Sequence, residues 1–365
     1  MSWIAVSPAL EQQSPPSERN TRIEASKVLR ASRDVWMERG SLMIEARLGP
    51  VSRPERVIDI PFDYPTRGRF SIYRIPGGSL ALVLTCGDEV RHAALSLRHS
   101  DHGDLVRLTY RWDVASGQAS LWAEMPGQLS MPMRAKLDSP LALPRTALVL
   151  AAKKLTKGQV APEVEVMALS DAIEPVGPMP SLLGRTHILT PDGPRRADAL
   201  QRGDLVMVPG RGATPIIASI SRIVPARGDF APVLIEAPRF GLQEDVLVAA
   251  GQRIVISGSD VEYLFGSEKV LVPARHLIGD GIAHYARPRR TITYVQFLLP
   301  GQQSLIAGGA VMESLHVSRL RRRADLQAAS LLNDVARAEL PDHAVTAHPV
   351  LNGFEAVTLA SYRAA

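Results

Sequence analysis

Apolar and polar residues alternate along several short segments in the first half of the chain. Segment 106–112 places apolar side chains at every second position, and 70–75 alternates at its start, with Phe70 and Ile72 separated by Ser71. Pro76-Gly77-Gly78 supplies a turn before the apolar run at 80–84. Alternation with a period of two, bounded by turn residues, is typical of half-buried β-strands. Four or five such segments up to Met167 predict a β-sandwich-like or jelly-roll-like domain over 66–175.

Other patterns precede and follow this region. Residues 1–65 are rich in Ser, Pro, Arg and Glu and have helical character mainly at 18–37, so we predict a partly ordered leader. The Pro- and Gly-rich stretch 175–180 predicts a domain boundary, and short strands separated by turns continue after it. The final segment, 318–365, is predicted to be a helical C-terminal tail, because apolar residues fall on one helical face at Leu320, Leu326, Leu331, Leu332 and Val335.

Composition excludes several classes of protein. Hydrophobic residues make up 45% of the chain and charged residues 22%, which is typical of globular rather than disordered or fibrous proteins. The N-terminus lacks the pattern of a secretory signal, and no apolar stretch reaches the ~20 residues of a spanning helix. We therefore expect a cytoplasmic protein with no membrane partner, and secretion by a route other than Sec stays open. Cys86 is the only cysteine, so an intramolecular disulfide is excluded, and its apolar surroundings predict a buried, inert thiol.

Charged and histidine-rich segments give two further hypotheses. The net charge is only +5, and the basic runs at 287–290 and 319–323 lack interleaved aromatic side chains. Solvated surfaces and weak phosphate contacts are both open for these runs, and we do not expect a dedicated nucleic-acid reader. A second group could bind zinc but also has the composition of a polar loop between strands, which we favour: His92, His99, Asp101, His102 and Asp104. We expect no metal and no cofactor.

Four sequence blocks follow one another after Pro180. Ile188-Leu-Thr-Pro-Asp-Gly-Pro194 contains a tight turn, and 199–206 turns at Gly203-Asp204 into a buried strand. The other two blocks are 270–277 and 292–299, the latter followed by 307–314. In order and spacing these blocks resemble the short bacterial Hint domain, the hedgehog/intein autoprocessing module. The resemblance implies a Hint all-β fold over 181–317 and a chain that is mainly β overall.

The resemblance also implies where the chemistry of autoprocessing would lie. Active family members begin with a nucleophile, usually Cys, that attacks the preceding carbonyl, and a later His protonates the departing nitrogen. The family spacing puts Ser181 in the nucleophile position, so that Pro180–Ser181 would be the bond cleaved. Gln252 occupies the position of the essential His, and glutamine cannot titrate near neutral pH. Two more family His positions fall near Gln296 and near Gln302 or Gln303.

His276 is the one family histidine that the chain retains. It is either a surviving acid/base group or, as we favour, a structural side chain bonded to the backbone. His187 is a second candidate base, although a six-residue separation from Ser181 along a strand would keep the two apart unless the chain turns.

An intact turn framework around a degenerate active site predicts a catalytically inactive relative of self-cleaving and splicing modules. Such a domain would act as a scaffold or interaction domain, with an unknown protein as partner. Two alternatives stay open. One is slow autoproteolysis by an N–O acyl shift at Pro180–Ser181, with Ser181 and His276 as the catalytic residues. The other is weak binding of nucleic acids or other anions through the arginine clusters.

Overall fold

The computed structural model describes residues 2–8, 35–63, 66–97, 103–128, 130–153, 158–279, 282–287 and 289–364. The protein is mainly β, as predicted, with 46% of the described residues in strands and 15% in helices. It divides into two compact units, the first comprising Met1–Pro126 with Pro132–Pro175 and the second Gly127–Met131 with Val176–Ala365. Pro175, at the start of the Pro- and Gly-rich stretch, is thus the last residue of the first unit.

The described part of the first unit consists of short antiparallel strands and one helix. The strands are β1 (Trp3–Val6), β2 (Trp36–Met37), β3 (Arg39–Leu48), β4 (Glu55–Phe62), β5 (Gly68–Ile75), β6 (Ser79–Cys86), β7 (Glu89–Ser96), β8 (Asp104–Asp113), β9 (Gln118–Glu124), β10 (Met133–Asp138), β11 (Leu143–Pro144) and β12 (Val164–Ser170), and the helix is α1 (Arg145–Ala152). They form a six-stranded sheet, β1-β12-β3-β8-β9-β10, a four-stranded sheet, β4-β5-β6-β7, and the pair β2-β11.

The two larger sheets of the first unit share one hydrophobic core, which makes this unit a β-sandwich. Strand β6 alternates buried and half-buried residues, so that Leu80, Leu82 and Leu84 all lie on its inner face. A ring contact links the sheets, since the centroids of Phe70 on β5 and Tyr110 on β8 are 5.4 Å apart. Cys86, at the end of β6, is half-buried rather than buried, and burial followed by the charge of Glu89 raises the pKa of its thiol.

The described residues of the predicted leader belong to this sandwich, so that prediction is wrong for them. Strand β1 pairs with β12, opposite Ser170, and β3 pairs with both β8 and β12. Strand β4 is part of the four-stranded sheet. Most of the predicted helix at 18–37 lies outside the described residues, and at its end Trp36–Met37 is a strand. A local pattern could not show these elements, because their partners are distant in sequence.

The second unit contains fourteen strands within its described residues. They are β13 (Leu182–Leu183), β14 (His187–Thr190), β15 (Gly193–Arg196), β16 (Leu205–Val208), β17 (Gly212–Pro215), β18 (Ala218–Pro225), β19 (Pro232–Ile235), β20 (Val246–Ala249), β21 (Arg253–Ser257), β22 (Lys269–Pro273), β23 (Ala283–Tyr285), β24 (Thr291–Leu298), β25 (Ser304–Ala307) and β26 (Ala310–Glu313). One sheet has the order β18-β24-β13-β20-β19-β23, another β15-β14-β25-β26-β21-β22, and β16 pairs with β17. Side chains from both six-stranded sheets form a single core.

Two turns that the sequence indicates shape the start of this unit. In the β14–β15 hairpin Thr190 pairs with Gly193, whose φ of 108° favours glycine, and the Thr190 hydroxyl donates to the Gly193 carbonyl at 2.6 Å. Gly203 has a φ of 91°, and the next residue, Asp204, accepts a hydrogen bond from the Gln201 amide at 2.9 Å. These turns lead into β15 and β16.

Helices of the second unit are short. They are α2 (Ser259–Phe265), α3 (Ala324–Ala329) and α4 (Gly353–Ala364). The predicted helical tail is therefore only partly helical: Leu326 and Leu332 are buried as its apolar face requires, but α3 ends at Ala329, before Leu332. No helix in the described ranges is long and apolar enough to cross a membrane.

Candidate functional site

Ser181 is the residue immediately before the two-residue strand β13, which lies between β20 and β24. Leu182 pairs with Val248 on one side and Val295 on the other, and its side chain is fully buried. The Ser181 carbonyl accepts a hydrogen bond from the Ala249 amide at 2.8 Å. The buried Leu182 side chain thus anchors β13 in the sheet, and this fixes the position of Ser181 at the start of the strand.

The Ser181 hydroxyl forms a closed hydrogen-bonded group with two glutamine side chains. It donates to Gln252 Oε1 at 2.5 Å and accepts from Gln296 Nε2 at 3.0 Å. Gln296 Nε2 is also 3.0 Å from Gln252 Oε1. The structure therefore brings together Ser181 and the two glutamines that occupy family His positions.

Main-chain groups hold both glutamines in place. Gln252 Nε2 donates to the carbonyls of Arg253 at 2.8 Å and Glu313 at 3.1 Å. Gln296 Oε1 accepts from the Phe297 amide at 3.2 Å. Gln252 is only 3% exposed and Gln296 only 2%, so loss of these main-chain bonds would leave buried donors and acceptors unsatisfied. The group thus links β13, β24 and the ends of β21 and β26 as a fully bonded polar cluster.

This arrangement disfavours nucleophilic attack by Ser181. A serine hydroxyl needs an adjacent base, and the acceptor of its proton here is an amide oxygen, which cannot take the proton away near neutral pH. The Gln296 N–H also occupies a lone pair of the Ser181 oxygen. Neither glutamine can protonate a departing amide nitrogen.

A buried ion pair lies directly beside the glutamines. Arg253 Nη1 is 3.1 Å from Glu313 Oε2, and both side chains are only 9% exposed. Burial raises the pKa of the Glu313 carboxyl, and the charge of Arg253 opposes that rise in part. In the sequence Glu313 lies near the end of the block 307–314, and no pattern there indicates that it pairs with Arg253.

The two candidate histidines lie elsewhere in the second unit. His276 is in the 3-10 turn Ala274–Leu277, and its ring Cε1 is 3.3 Å from the position that a Cβ would take at Gly353, the first residue of α4. His187 is exposed, and its Nδ1 is 2.8 Å from Glu244 Oε1. The side-chain hydrogen bonds of Ser181 go instead to the two glutamines.

Two imidazoles that the sequence did not single out are largely buried together. The ring centroids of His316 and His343 are 5.3 Å apart. Burial, then the charges of His343 and Arg253, lowers the pKa of His316 to about 3, and burial lowers the pKa of His343 to about 4. The Val317 amide donates to His343 Nδ1 at 3.1 Å. Both rings are therefore neutral at pH 7.

The metal and anion hypotheses find little in the described residues. No group of three or more potential metal ligands occurs among them, although His99, Asp101 and His102 of the histidine-rich segment lie outside the described ranges. In the second basic run, Arg322 pairs with Asp342 at 2.6 Å and Arg323 with Asp325 at 2.9 Å. These ion pairs reduce the charge that the run could offer to an anion.

A family model for the Hint domain matches residues 180–319. The chain contains a Hint domain. This domain covers a little over a third of the chain and includes Ser181, Gln252, Gln296 and the Arg253–Glu313 pair. A search of curated proteins found no match to the chain.

Three solved structures to which the chain is similar are distant from it in sequence. The gp41-1 intein is 11% identical with a TM-score of 0.26, and the match covers 37% of this chain and 98% of the intein. Sheep galectin-11 in complex with glycerol is 10% identical, with a TM-score of 0.23 over 38% of this chain and 86% of the galectin. Domains LG4-5 of the mouse laminin alpha1 chain are 11% identical, with a TM-score of 0.21 over 87% of this chain and 75% of that one.

Proposed function

We propose that the Hint domain of this protein does not cleave itself and acts as a scaffold or interaction domain. The observation that carries the proposal is the environment of the Ser181 hydroxyl, which is held between two glutamines that can neither take up nor release a proton near neutral pH. The turns and the core of the domain are intact around this group. The domain therefore keeps a folded surface although the reactive groups of autoprocessing are missing.

The competing function is a slow N–O acyl shift. In that reaction Ser181 Oγ would attack the Pro180 carbonyl carbon, an ester would form, and the Ser181 nitrogen would leave with a proton. The Oγ proton has to reach that nitrogen, but in the structure the Ser181 hydroxyl donates this proton to Gln252 Oε1. An amide oxygen does not relay it at a useful rate, because it is a very weak base.

Hydroxylamine separates the two functions, since it cleaves an ester and, among peptide bonds, attacks mainly Asn–Gly, here Asn352–Gly353, whose fragments of 352 and 13 residues differ in mass from those of a break after Pro180. The purified full chain is incubated with hydroxylamine at neutral pH, and its intact mass is followed over days. We expect the 39.6 kDa chain to persist. Fragments of 180 and 185 residues, separated between Pro180 and Ser181, would overturn the proposal.

Ser181→Ala is the matched control for that experiment. It removes the only atom that could form the ester and leaves the backbone bond to Ala249 in place. Cleavage in the wild type but not in this variant would establish the acyl shift. Cleavage between Pro180 and Ser181 in both would assign the break to a contaminating protease, and the proposal would stand.

A further inference from the structure

The first unit contains a cleft at the place where β3 ends and β4 begins. Its volume is about 300 Å³, at the lower limit for pockets that hold small molecules. The segment 158–163 forms one wall, and the end of β5 contributes Arg74. Apolar lining comes from Leu48, Val57, Val160, Ala161 and Pro162, and charged lining comes from Glu55, Arg56, Arg74 and Glu163.

Arg74 is the buried polar residue of the cleft, with a side chain only 12% exposed. Its Nη1 donates to the Gly49 carbonyl at 3.1 Å, and its Nη2 donates to Glu55 Oε2 at 2.6 Å and lies 3.7 Å from Glu163 Oε1. The Arg74 Nε–H is buried and has no hydrogen-bond partner within the described residues. This donor is enclosed by protein, so Arg74 serves the cleft by fixing the positions of Glu55 and Glu163.

Neighbouring main-chain bonds fix the wall of the cleft. The Asp59 amide donates to the Gln159 carbonyl at 2.8 Å, and the Ala161 amide donates to the Val57 carbonyl at 3.0 Å. The Arg47 amide donates to the Glu163 carbonyl at 3.1 Å. The wall is therefore formed before any ligand arrives, which lowers the entropic cost of binding.

The charges in the cleft favour a neutral ligand. Two guanidinium groups and two carboxylates line it, so their charges cancel and neither an anion nor a cation gains net attraction. A hydroxyl group both donates and accepts, so adjacent hydroxyls can bond to an arginine N–H and to a carboxylate at once. The apolar lining suits the C–H groups of the same molecule.

We propose that this cleft binds a neutral saccharide of one or two rings. Ring hydroxyl oxygens accept from the exposed Arg56 guanidinium, and neighbouring hydroxyls donate to Glu55 and Glu163. Val160, Ala161 and Pro162 contact the hydrocarbon side of the ring. This inference concerns the first unit and does not depend on the chemistry proposed for the Hint domain.

The test uses the full chain and saturation-transfer NMR. Probes are glucose, galactose, maltose, cellobiose and lactose, with glucuronate and glucosamine as charged counterparts. We expect saturation transfer to at least one neutral sugar and weaker transfer to the charged ones. Transfer to no neutral sugar, or stronger transfer to a charged counterpart, would overturn the proposal.

Variants locate the binding. Ala161→Trp fills the cleft without removing a backbone hydrogen bond, and Ala94→Trp places the same side chain on the exposed β7. We expect Ala161→Trp to weaken binding by roughly tenfold or more, corresponding to about 1.4 kcal/mol, and Ala94→Trp to leave it unchanged.

Glu163→Gln covers the case in which Ala161→Trp does not fold, because Glu163 is exposed and its removal costs little stability. It exchanges a charged acceptor for a neutral amide, so sugar binding is expected to weaken several-fold. If every cleft variant that folds binds the sugar as strongly as the wild type, the sugar binds elsewhere and the assignment is refuted.

Discussion

Acidification should destabilise the second unit, which contains the Hint domain, through the buried pair His316 and His343. The pKa of His316 is about 3 and that of His343 about 4, whereas an imidazole in the unfolded chain has a pKa near 6.5. The unfolded chain therefore binds more protons than the folded one below that value. The contribution of each ring to stability is fully present above pH 6.5 and is lost as the pH falls toward 3–4.

The size of the effect follows from the interval between the unfolded pKa and the chosen pH. A solution at pH 5 is about 1.5 pH units below the pKa of an imidazole in the unfolded chain, and each pH unit corresponds to about 1.4 kcal/mol. Both folded values lie well below 5, so each ring contributes a loss of about 2 kcal/mol between pH 7 and pH 5. The pair together contributes a loss of about 4 kcal/mol.

His343→Gln isolates this contribution, because it removes one titrating ring and keeps a polar side chain. The raised pKa of Glu313 acts in the opposite direction, since protonation of the folded state favours folding in acid. Glu313 is present in both proteins, so its effect cancels when they are compared. The variant should therefore lose about 2 kcal/mol less than the wild type between pH 7 and pH 5.

The assay has to report on the second unit alone. All four tryptophans, Trp3, Trp36, Trp112 and Trp122, belong to the first unit, so their fluorescence in urea serves as the internal control. Hydrogen exchange in urea, read by mass spectrometry on peptides covering 291–313, reports on the Hint domain. Equal losses of stability in the two proteins would refute the reasoning, as would a shift confined to the fluorescence.

Three further predictions concern the Ser181 cluster and one buried ion pair of the first unit. Combining Ser181→Cys with Gln252→His should give hydroxylamine-dependent cleavage after Pro180, as followed by intact mass; a folded double variant that stays whole would show that the framework itself has changed. Gln296→Leu should lower the stability of the Hint domain by about 1–3 kcal/mol in the exchange assay, because buried partners lose their bonds, and an unchanged value would contradict this. In the first unit Arg107 Nη2 is 2.7 Å from Glu45, which is 0% exposed, so Arg107→Met should cost about 3–5 kcal/mol by tryptophan fluorescence. A cost below about 0.5 kcal/mol would contradict this expectation.

Short-range chemistry is what the sequence predicted well. Turns at Gly193 and Gly203 follow from residue types that favour them, and the Hint fold follows from several such blocks in order. The family spacing aligned Gln252 with a catalytic position, and in the structure its side chain bonds to Ser181. That contact spans 71 residues and came from the resemblance, not from any local pattern.

Pairing between distant segments is what the sequence could not predict. Strand β1 has only four residues, and nothing near it indicates that its partner is β12. His316 and His343 are 27 positions apart, and a solitary histidine carries no signal that another will pack against it. Burial decides both cases, and burial depends on the whole fold rather than on neighbouring residues.

The pairing of β1 with β12 has a consequence for synthesis of the protein. Trp3 lies opposite Ser170, so β1 borders a strand made about 160 residues later. While the ribosome is still translating the segment between them, β1 has no neighbour, and the outer edge of its future sheet is incomplete. Completion of the sandwich must therefore wait until β12 has left the exit tunnel, and until then the unfinished edge of β3 is open to pairing with another nascent chain.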